Sequence, residues 1–379
     1  YRHAAKADSV QQRRPNVVLI MMESMSAKFM KHFGQSETLT PFLDSLYTRS
    51  ISFRNFYSAG IHTNHGLYAT LYSFPAMMKR NLMKGSVIPR YSGLPTVLKE
   101  NGYYNLFFMT HEGQYDNMNA FFRTNGYDEV FSQEDYPADK VVNSFGVQDD
   151  FLYDYAIPVL NQRAATGQPF FATLLSISNH PPYVIPPFFH PKTSEPEMQI
   201  VEYADWALRQ FFEEARKQPW FDNTIFVLEG DHGKLVGDAE CELPESYNHI
   251  PLMIYSSRIQ PEEKTAFGGQ VDIQPTILGL LNIDYLQNNF GVDLLKEERP
   301  CMFYTADNMV VGRNDTLLYL YNYETQQELT YDIGNGKLNA VPMDDSFLPL
   351  KEYSFSMLQS AEFLVKHGKT VNSVPFTQQ

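Results

Sequence analysis

Two apolar runs that lie far apart in the chain end in the same way, and they constrain the fold more than any other feature. One spans residues 17–22 and stops at Glu23; the other spans residues 224–228 and leads to Asp231 and His232. Short apolar runs that stop at a polar residue or a glycine are typical of buried strands. Ligands of open α/β sheets bind outside the carboxyl ends of the strands. The two strand ends therefore predict one shared site, although an Asp-His pair alone also occurs in ordinary turns.

The rest of the first 300 residues alternates between strand-like and helix-like segments. Strands are predicted at 51–57, 104–109, 170–177 and 249–255, and helices at 40–47 (with Thr40 as its cap), 95–101, 117–122, 147–162, 201–216 and 271–281. Residues 58–66 are predicted to form a loop. Such alternation is typical of an α/β fold with a mainly parallel central sheet flanked by helices.

The pattern changes near residue 300. Short aromatic strands are predicted at 301–305, 309–312, 316–323 and 328–333, with a turn at Asn335-Gly336 and a closing helix at 350–367. This predicts a small antiparallel sheet with a terminal helix. We therefore divide the chain into a linker (1–14), an α/β catalytic domain (15–299) and a C-terminal sheet and helix packed on that domain (300–379).

Charge and cysteine content narrow the classes of partner. The 379 residues carry 30 Lys and Arg against 44 Asp and Glu, a formal charge of −14, and no basic cluster interleaves with aromatic residues. Nucleic acid is not an expected partner. Cys241 and Cys301 match no zinc-ligand spacing and form either one disulfide or two separate thiols. No apolar run approaches the ~20 residues of a membrane span. A chain that begins at Tyr1 is expected to be a processed or truncated piece.

Polar residues with metal or phosphate chemistry follow several of the strands. They are Glu23, Thr63, His111, His180, Asp231 and His232, with His249 at the entrance of a further strand. Each has a structural explanation of its own, but their recurrence at corresponding positions favours one site. Carboxylates with an imidazole suit Mn²⁺, Mg²⁺ or Zn²⁺, and a hydroxyl bound to such a cation becomes nucleophilic.

Several stretches together resemble one enzyme family. These are 15–24, 39–44, 53–58, 203–208, 222–224 and 230–233, which are similar to the sulfatase-like branch of the alkaline phosphatase superfamily. Within it, Met22-Glu23-Ser24, a threonine at 63 and the stretch 178–183 resemble the extracytoplasmic catalytic domain of lipoteichoic acid synthase and related phosphoglycerol transferases. The resemblance covers roughly residues 15–370.

The resemblance implies a fold and a set of site residues. The fold is of the alkaline phosphatase type, and one divalent cation, Mn²⁺ before Mg²⁺ or Zn²⁺, is held by Glu23, Thr63, Asp231 and His232. Thr63 is the implied nucleophile. The implied proton donor is His180 or His249. The implied substrate contacts are His111, Asn117, His180 and His249. The sequence departs from the synthases at 62–66, which lacks their Gly-Lys-Thr-Ser form, and at 115–118, which stands where they have Trp-x-Arg.

These expectations define a function with two alternatives. We expect a metal-dependent transferase that moves a phosphoglycerol-like group from a phospholipid to a glycan or glycerophosphate acceptor through a phosphothreonine. The resemblance implies that it works outside the cytoplasmic membrane, in the cell envelope, anchored by upstream membrane helices. The alternatives are a metal-dependent phosphodiesterase, phosphatase or sulfatase-like hydrolase, and a catalytically silent binding domain. Sulfatase activity proper is disfavoured because 58–66 lacks a Cys/Ser-x-Pro-x-Arg motif.

Overall fold

The protein folds around one large sheet and one small sheet. The computed structural model describes residues 2–3 (backbone only), 14–334 and 336–372, so most of the expected linker and Asn335 of the expected turn lie outside the described residues. The strands are β1 Arg2–His3, β2 Asn16–Met22, β3 Ile51–Tyr57, β4 Tyr104–Met109, β5 Glu129–Phe131, β6 Phe170–Leu175, β7 Thr224–Gly230, β8 Leu252–Tyr255, β9 Glu262–Gly269, β10 Leu286–Gln287, β11 Met302–Thr305, β12 Met309–Arg313, β13 Leu317–Asn322, β14 Gln327–Gly334 and β15 Lys337–Ala340. The helices are α1 Pro41–Tyr47, α2 Thr63–Tyr72, α3 Leu94–Glu100, α4 Met118–Thr124, α5 Asp149–Ala165, α6 Pro196–Ala215, α7 Ile273–Leu280 and α8 Leu348–Lys366.

The large sheet has eight strands in the order β5-β4-β6-β2-β7-β8-β3-β9. All neighbours are parallel except β8, which runs antiparallel to β7 and β3. In the β2–β7 pair, Met22 lies opposite Gly230. Glu23 and Asp231, which directly follow the two strands, therefore lie side by side, as the sequence predicts.

Helices cover both faces of this sheet. Alternate side chains of β2 divide between two cores: Val17, Leu19 and Met21 pack with α2, α3, α4 and α7, whereas Val18, Ile20 and Met22 pack with α1, α5 and α6. All residues of β2 are buried. Burial on both faces explains why the strand is a continuous apolar run rather than an alternating one.

The start of α1 differs from the expectation that Thr40 caps it. The Thr40 side chain makes no capping hydrogen bond. Instead, the carboxylate of Asp205 on α6 accepts hydrogen bonds from the backbone N–H groups of Phe42 and Leu43, each at 2.9 Å. A residue distant in sequence therefore satisfies the free donors of this helix.

The loop predicted at 58–66 ends early, because helix α2 begins at Thr63. The helix is buried on all sides from His65 to Tyr72 and thus lacks the one-sided apolar stripe by which surface helices are recognised. Gly66 permits its close approach to the sheet, since a Cβ there would lie 2.2 Å from the carbonyl oxygen of Asp231.

The C-terminal part is a five-stranded antiparallel sheet in the consecutive order β11 to β15, with α8 packed against β12. The predicted small sheet and terminal helix are confirmed. Cys241 and Cys301 are both free thiols, which decides between the two alternatives for them. No helix among the described residues is long and apolar enough to cross a membrane.

Candidate metal and nucleophile site

Three predicted ligands meet at the carboxyl ends of β2 and β7. Glu23, Asp231 and His232 each offer a ligand atom within 4.8 Å of the others. Nε2 of His232 lies 3.8 Å from Oε1 of Glu23 and 3.5 Å from Oδ2 of Asp231. Parallel pairing of the two strands brings these side chains together across 207 intervening residues.

The charge balance of this group fits a divalent cation. Oδ1 of Asp231 accepts hydrogen bonds from the N–H groups of Ser24 at 2.8 Å and His232 at 2.7 Å, whereas its buried Oδ2 has no hydrogen-bond partner. Burial, and next the neighbouring Asp231 carboxylate, raise the pKa of Glu23 well above its usual range. Two buried carboxylates that repel each other, one with an unused oxygen, are the donor set a hard cation requires.

Thr63 is placed at this group by the start of helix α2. Its hydroxyl donates to Oε2 of Glu23 at 3.3 Å. As the first residue of a 10-residue helix, Thr63 lies where free backbone N–H groups and the helix dipole favour negative charge. A phosphoryl group attached to its hydroxyl would therefore meet a favourable field.

Two amide side chains that the sequence did not single out hold the loop before Thr63. Gln270 accepts a hydrogen bond from Ala59 N–H at 2.8 Å and donates to the Asp231 carbonyl oxygen at 2.7 Å, which ties this loop to the β7 end. Asn248 donates to the carbonyl oxygens of Ser58 at 3.3 Å and Gly60 at 3.4 Å. Nothing local in the sequence marks these residues, because their partners in the loop before Thr63 lie about 190 to 210 positions away.

His111 and His180 lie on a neighbouring wall of aromatic side chains. The His111 ring lies 4.6 Å from that of Tyr115, and the His180 ring lies 4.0 Å from that of Phe145, which in turn lies 6.4 Å from Tyr115. Each histidine has its Nδ1 within hydrogen-bonding distance of a backbone carbonyl oxygen, 3.1 Å for His111 and 2.6 Å for His180. If Nδ1 is the donor in each case, Nε2 is free for substrate. Burial lowers the pKa of His111, which favours the neutral form of this ring.

Asn117 and His249 have other contacts. The Asn117 amide donates to the Met83 carbonyl oxygen at 3.4 Å. The His249 ring stacks on Tyr57, with Nε2 2.7 Å from the Arg54 carbonyl oxygen and Nδ1 3.9 Å from Glu245. Within the described residues no hydrogen bond or ion pair joins the His249 ring to the metal-ligand group. Its predicted catalytic role stays a prediction, and so does that of His180.

Two charged residues near the site were missed by sequence reasoning. Lys234 follows His232 by two positions and donates to Oδ1 of Asn179 at 2.6 Å and to the hydroxyl of Tyr183 at 3.0 Å; burial lowers its pKa to about 8. Asp116 has a positive φ of 50° and accepts a hydrogen bond from Asn64, next to Thr63, at 3.2 Å. The position of Lys234 beside the Asp-His pair could have marked it as a site residue in the sequence. Nothing about the position of Asp116 in the sequence marks it in this way.

Comparison with known proteins identifies the family. A family model described as Sulfatase matches residues 15–283. The chain belongs to the sulfatase family. Among solved structures, a protein in the alkaline phosphatase superfamily from Vibrio parahaemolyticus is 27% identical with a TM-score of 0.86, over 96% of this chain and 90% of that chain. The lipoteichoic acid synthase LtaP from Listeria monocytogenes has a TM-score of 0.80 at 21% identity, over 93% of each chain.

Curated relatives of this sulfatase-family chain include synthases. Lipoteichoic acid synthase 1 of Bacillus subtilis is 25% identical over 350 residues, 85% of this chain and 53% of the relative. Lipoteichoic acid synthase 2 of the same strain is 24% identical over 315 residues, 75% of this chain and 47% of the relative. The chain thus spans about half the length of these relatives. The predicted fold and the resemblance to the lipoteichoic acid synthase-like branch are confirmed.

Proposed function

We propose that the chain is the catalytic part of a metal-dependent transferase that moves a phosphoglycerol-like group from a phospholipid to a hydroxyl acceptor. The observation that carries the proposal is the Thr63 hydroxyl at the start of α2, 3.3 Å from the Glu23 carboxylate and beside the Asp231-His232 pair. Relatives named lipoteichoic acid synthases support transfer over hydrolysis.

The first half-reaction forms a phosphothreonine diester. Thr63 Oγ1 attacks the phosphorus, its proton passes to the Glu23 carboxylate to which it is hydrogen-bonded, and the bond between phosphorus and the diacylglycerol oxygen breaks. His180 enters this step as the doubly protonated imidazolium: it gives its Nε2 proton to the departing oxygen and keeps the Nδ1 proton that faces the Pro181 carbonyl oxygen. Diacylglycerol leaves, and the phosphoglycerol group stays on Thr63.

The second half-reaction reverses the proton movements. The oxygen of an acceptor hydroxyl attacks the phosphorus, its proton returns to His180, and the bond from phosphorus to Thr63 breaks as Thr63 regains its own proton. The free N–H groups at the start of α2 stabilise the negative charge on the phosphoryl oxygens in both steps.

A divalent cation fits this scheme, held by Glu23, Thr63, Asp231 and His232. When bound, it would acidify the threonine hydroxyl and offset charge on the phosphoryl oxygens. Mn²⁺ is our first choice, with Mg²⁺ and Zn²⁺ as alternatives that the same donors accept. In the described part of the chain one group of three His, Cys, Asp or Glu side chains has metal-binding geometry, and we propose that it holds a single cation.

The acceptor and the place of action follow from the same proposal. A glycan or glycerophosphate hydroxyl is the proposed acceptor, a choice supported by relatives named lipoteichoic acid synthases. We place the domain outside the cytoplasmic membrane, in the cell envelope and held near the bilayer, where a phospholipid donor is available.

Trapping the covalent intermediate tests the proposal. The chain is incubated with Mn²⁺ and phosphatidylglycerol in the absence of acceptor and then analysed by peptide mass spectrometry. We expect a glycerophosphoryl adduct on the peptide that contains Thr63, a weaker adduct with Thr63→Ser and none with Thr63→Ala. An adduct on another residue, or full turnover by Thr63→Ala, would refute the assigned nucleophile. Release of glycerophosphate to water with no transfer to added acceptors would favour the hydrolase.

A further inference from the structure

Positive charge is concentrated in one segment of this acidic chain. Between residues 45 and 99 there are seven Lys and Arg residues and no Asp or Glu, whereas the whole chain carries −14. Four of the seven lie in the connection between α2 and α3, residues 73–93, which we call the basic loop: Lys79, Arg80, Lys84 and Arg90. All four are exposed. The basic loop is therefore a local exception to the charge of the protein.

Nearby carboxylates neutralise little of this charge. Lys79 lies 4.0 Å from Glu324, and both side chains are largely exposed, so that pair is weak. Lys84 forms a closer ion pair, 2.7 Å, with Asp116. Arg80 and Arg90 form no ion pair with any residue that the structure describes. The basic loop thus keeps a net positive charge.

The basic loop also presents an aliphatic side chain to solvent. Val87 is 81% exposed, the highest value among the large hydrophobic residues of the described chain. Tyr115, which precedes the Lys84 partner Asp116, is 44% exposed. An exposed aliphatic residue among cations, with a tyrosine nearby, is the chemistry that binds the headgroup region of an anionic bilayer.

Hydrogen bonds fix the C-terminal end of the basic loop. Asn125 donates to the Pro89 carbonyl oxygen at 2.8 Å, and its own side-chain oxygen accepts from Tyr91 N–H at 2.8 Å. The hydroxyl of Thr370 donates to the Arg90 carbonyl oxygen at 2.6 Å. The backbone around Arg90 is therefore already ordered before its side chain contacts a surface.

A short chain of contacts connects the basic loop to the nucleophile. Lys84 pairs with Asp116, and Asp116 accepts a hydrogen bond from Asn64, the neighbour of Thr63. A surface held by the basic loop would consequently lie beside the end of α2 that carries Thr63.

We propose that the basic loop docks the domain on a bilayer that contains anionic phospholipid, with Val87 entering the headgroup region. The proposal draws on the proposed function only in naming a phospholipid surface as the partner. At physiological ionic strength charges are screened beyond about 8 Å, so the acidic remainder of the chain does not cancel a basic segment in contact with the membrane. An exposed aliphatic tip such as Val87 can enter the headgroup region but cannot stack on a base, which favours lipid over nucleic acid.

Vesicle binding by the purified chain tests this proposal. Vesicles of phosphatidylcholine alone are compared with equimolar mixtures of phosphatidylcholine with phosphatidylglycerol or with phosphatidylserine. We expect co-sedimentation with both anionic mixtures and none with phosphatidylcholine alone. Raising ionic strength from roughly 0.1 M to 1 M, which shortens the screening length from about 10 Å to 3 Å, should release the protein.

Loop variants locate the binding surface. Lys79→Gln combined with Arg90→Gln should lower the partition coefficient roughly 25-fold, about fivefold per charge, and Val87→Asp should also weaken binding. The control is Lys217→Gln with Lys296→Gln, which removes two charges whose side chains are 64% and 59% exposed elsewhere on the surface; it should bind as the wild type does. Equal losses in the test and control pairs, or wild-type binding by the test pair, would overturn the proposal.

Two further outcomes separate docking from the proposed reaction. Binding to phosphatidylglycerol but not to phosphatidylserine would overturn docking by charge and assign the contact to donor recognition at the site. Thr63→Ala should bind vesicles as the wild type does, and the loop variants should turn over a water-soluble phosphodiester at the wild-type rate. If binding follows these expectations while no phospholipid labels Thr63, the docking surface is supported and the proposed transferase activity is refuted.

Discussion

Replacing Glu23 by glutamine should affect stability in opposite directions with and without metal. The ligand atoms of Glu23 and Asp231 lie within 4.8 Å of each other, and two full charges at that separation repel by about 3.5 kcal/mol at an effective dielectric constant of about 20. Burial and Asp231 raise the pKa of Glu23 well above its usual range, and protonation of Glu23 relieves part of this repulsion in the metal-free protein. In EDTA, Glu23→Gln should therefore be at least as stable as the wild type.

Added cation should reverse that order. Metal at about a thousand times its dissociation constant stabilises the folded state by about 4 kcal/mol, a gain that requires the negatively charged Glu23 carboxylate. The assay is thermal unfolding in EDTA and in excess Mn²⁺. We expect the wild-type midpoint to rise by several degrees on metal addition and that of Glu23→Gln to stay nearly constant.

A matched control comes from the end of the neighbouring strand β7. Glu229 is also fully buried, and it accepts a hydrogen bond from Thr70 at 2.6 Å but contributes no atom to the ligand group. Glu229→Gln should keep the full metal-induced rise. A wild-type rise in Glu23→Gln, or its loss in Glu229→Gln, would refute the assigned ligand set.

Two stability predictions concern residues away from the metal group. Arg299→Ala should lower the free energy of unfolding in urea by about 3–5 kcal/mol, because it leaves the fully buried Asp272, which Arg299 contacts at 2.5 Å, without its charge partner. As a control, Lys296→Ala at a 59% exposed side chain should lower it by less than about 1 kcal/mol. Equal losses in the two variants would contradict the argument. Burial, opposed by two backbone N–H bonds, raises the pKa of Asp205 to about 7. Since the folded-state pKa is the higher one, its stabilising contribution is complete below about pH 4 and is lost as pH rises through about 7. Asp205→Asn should flatten the stability profile between these values, and an unchanged slope in urea titrations would count against it.

The sequence predicted that Glu23, Asp231 and His232 lie together, because strand pairing determines their positions. A run that ends in Glu23 and a run that ends before Asp231 can only place both carboxylates at one edge of a parallel sheet. His249 shows the limit of that reasoning. It enters an antiparallel strand, so its backbone reaches the expected edge, but its side chain packs on Tyr57 and faces Glu245. Position along a strand is readable from sequence, whereas the direction and partners of one side chain depend on packing.

Helix α2 and strand β9 show why some elements were missed. Helix α2 is buried on every side and carries no helical period of polarity. Strand β9, Glu262–Gly269, lies at the edge of the sheet, and its first residues are charged and largely exposed. Edge strands tolerate charged residues because one side of the strand is unpaired and faces solvent. Those charged residues break the apolar pattern by which a strand is recognised in the sequence.

The hydrogen bond from Thr305 N–H to the Ala59 carbonyl oxygen, 3.0 Å long, joins residues 246 positions apart. Through it, and together with the Asn248 amide, the small sheet immobilises the segment that leads to Thr63. The conformational entropy of the nucleophile is thus lost when the chain folds, so it does not have to be lost again at each turnover. Substitutions in β11 that never contact substrate should accordingly slow the chemical step, and a genetic screen for activity would recover them alongside the site residues.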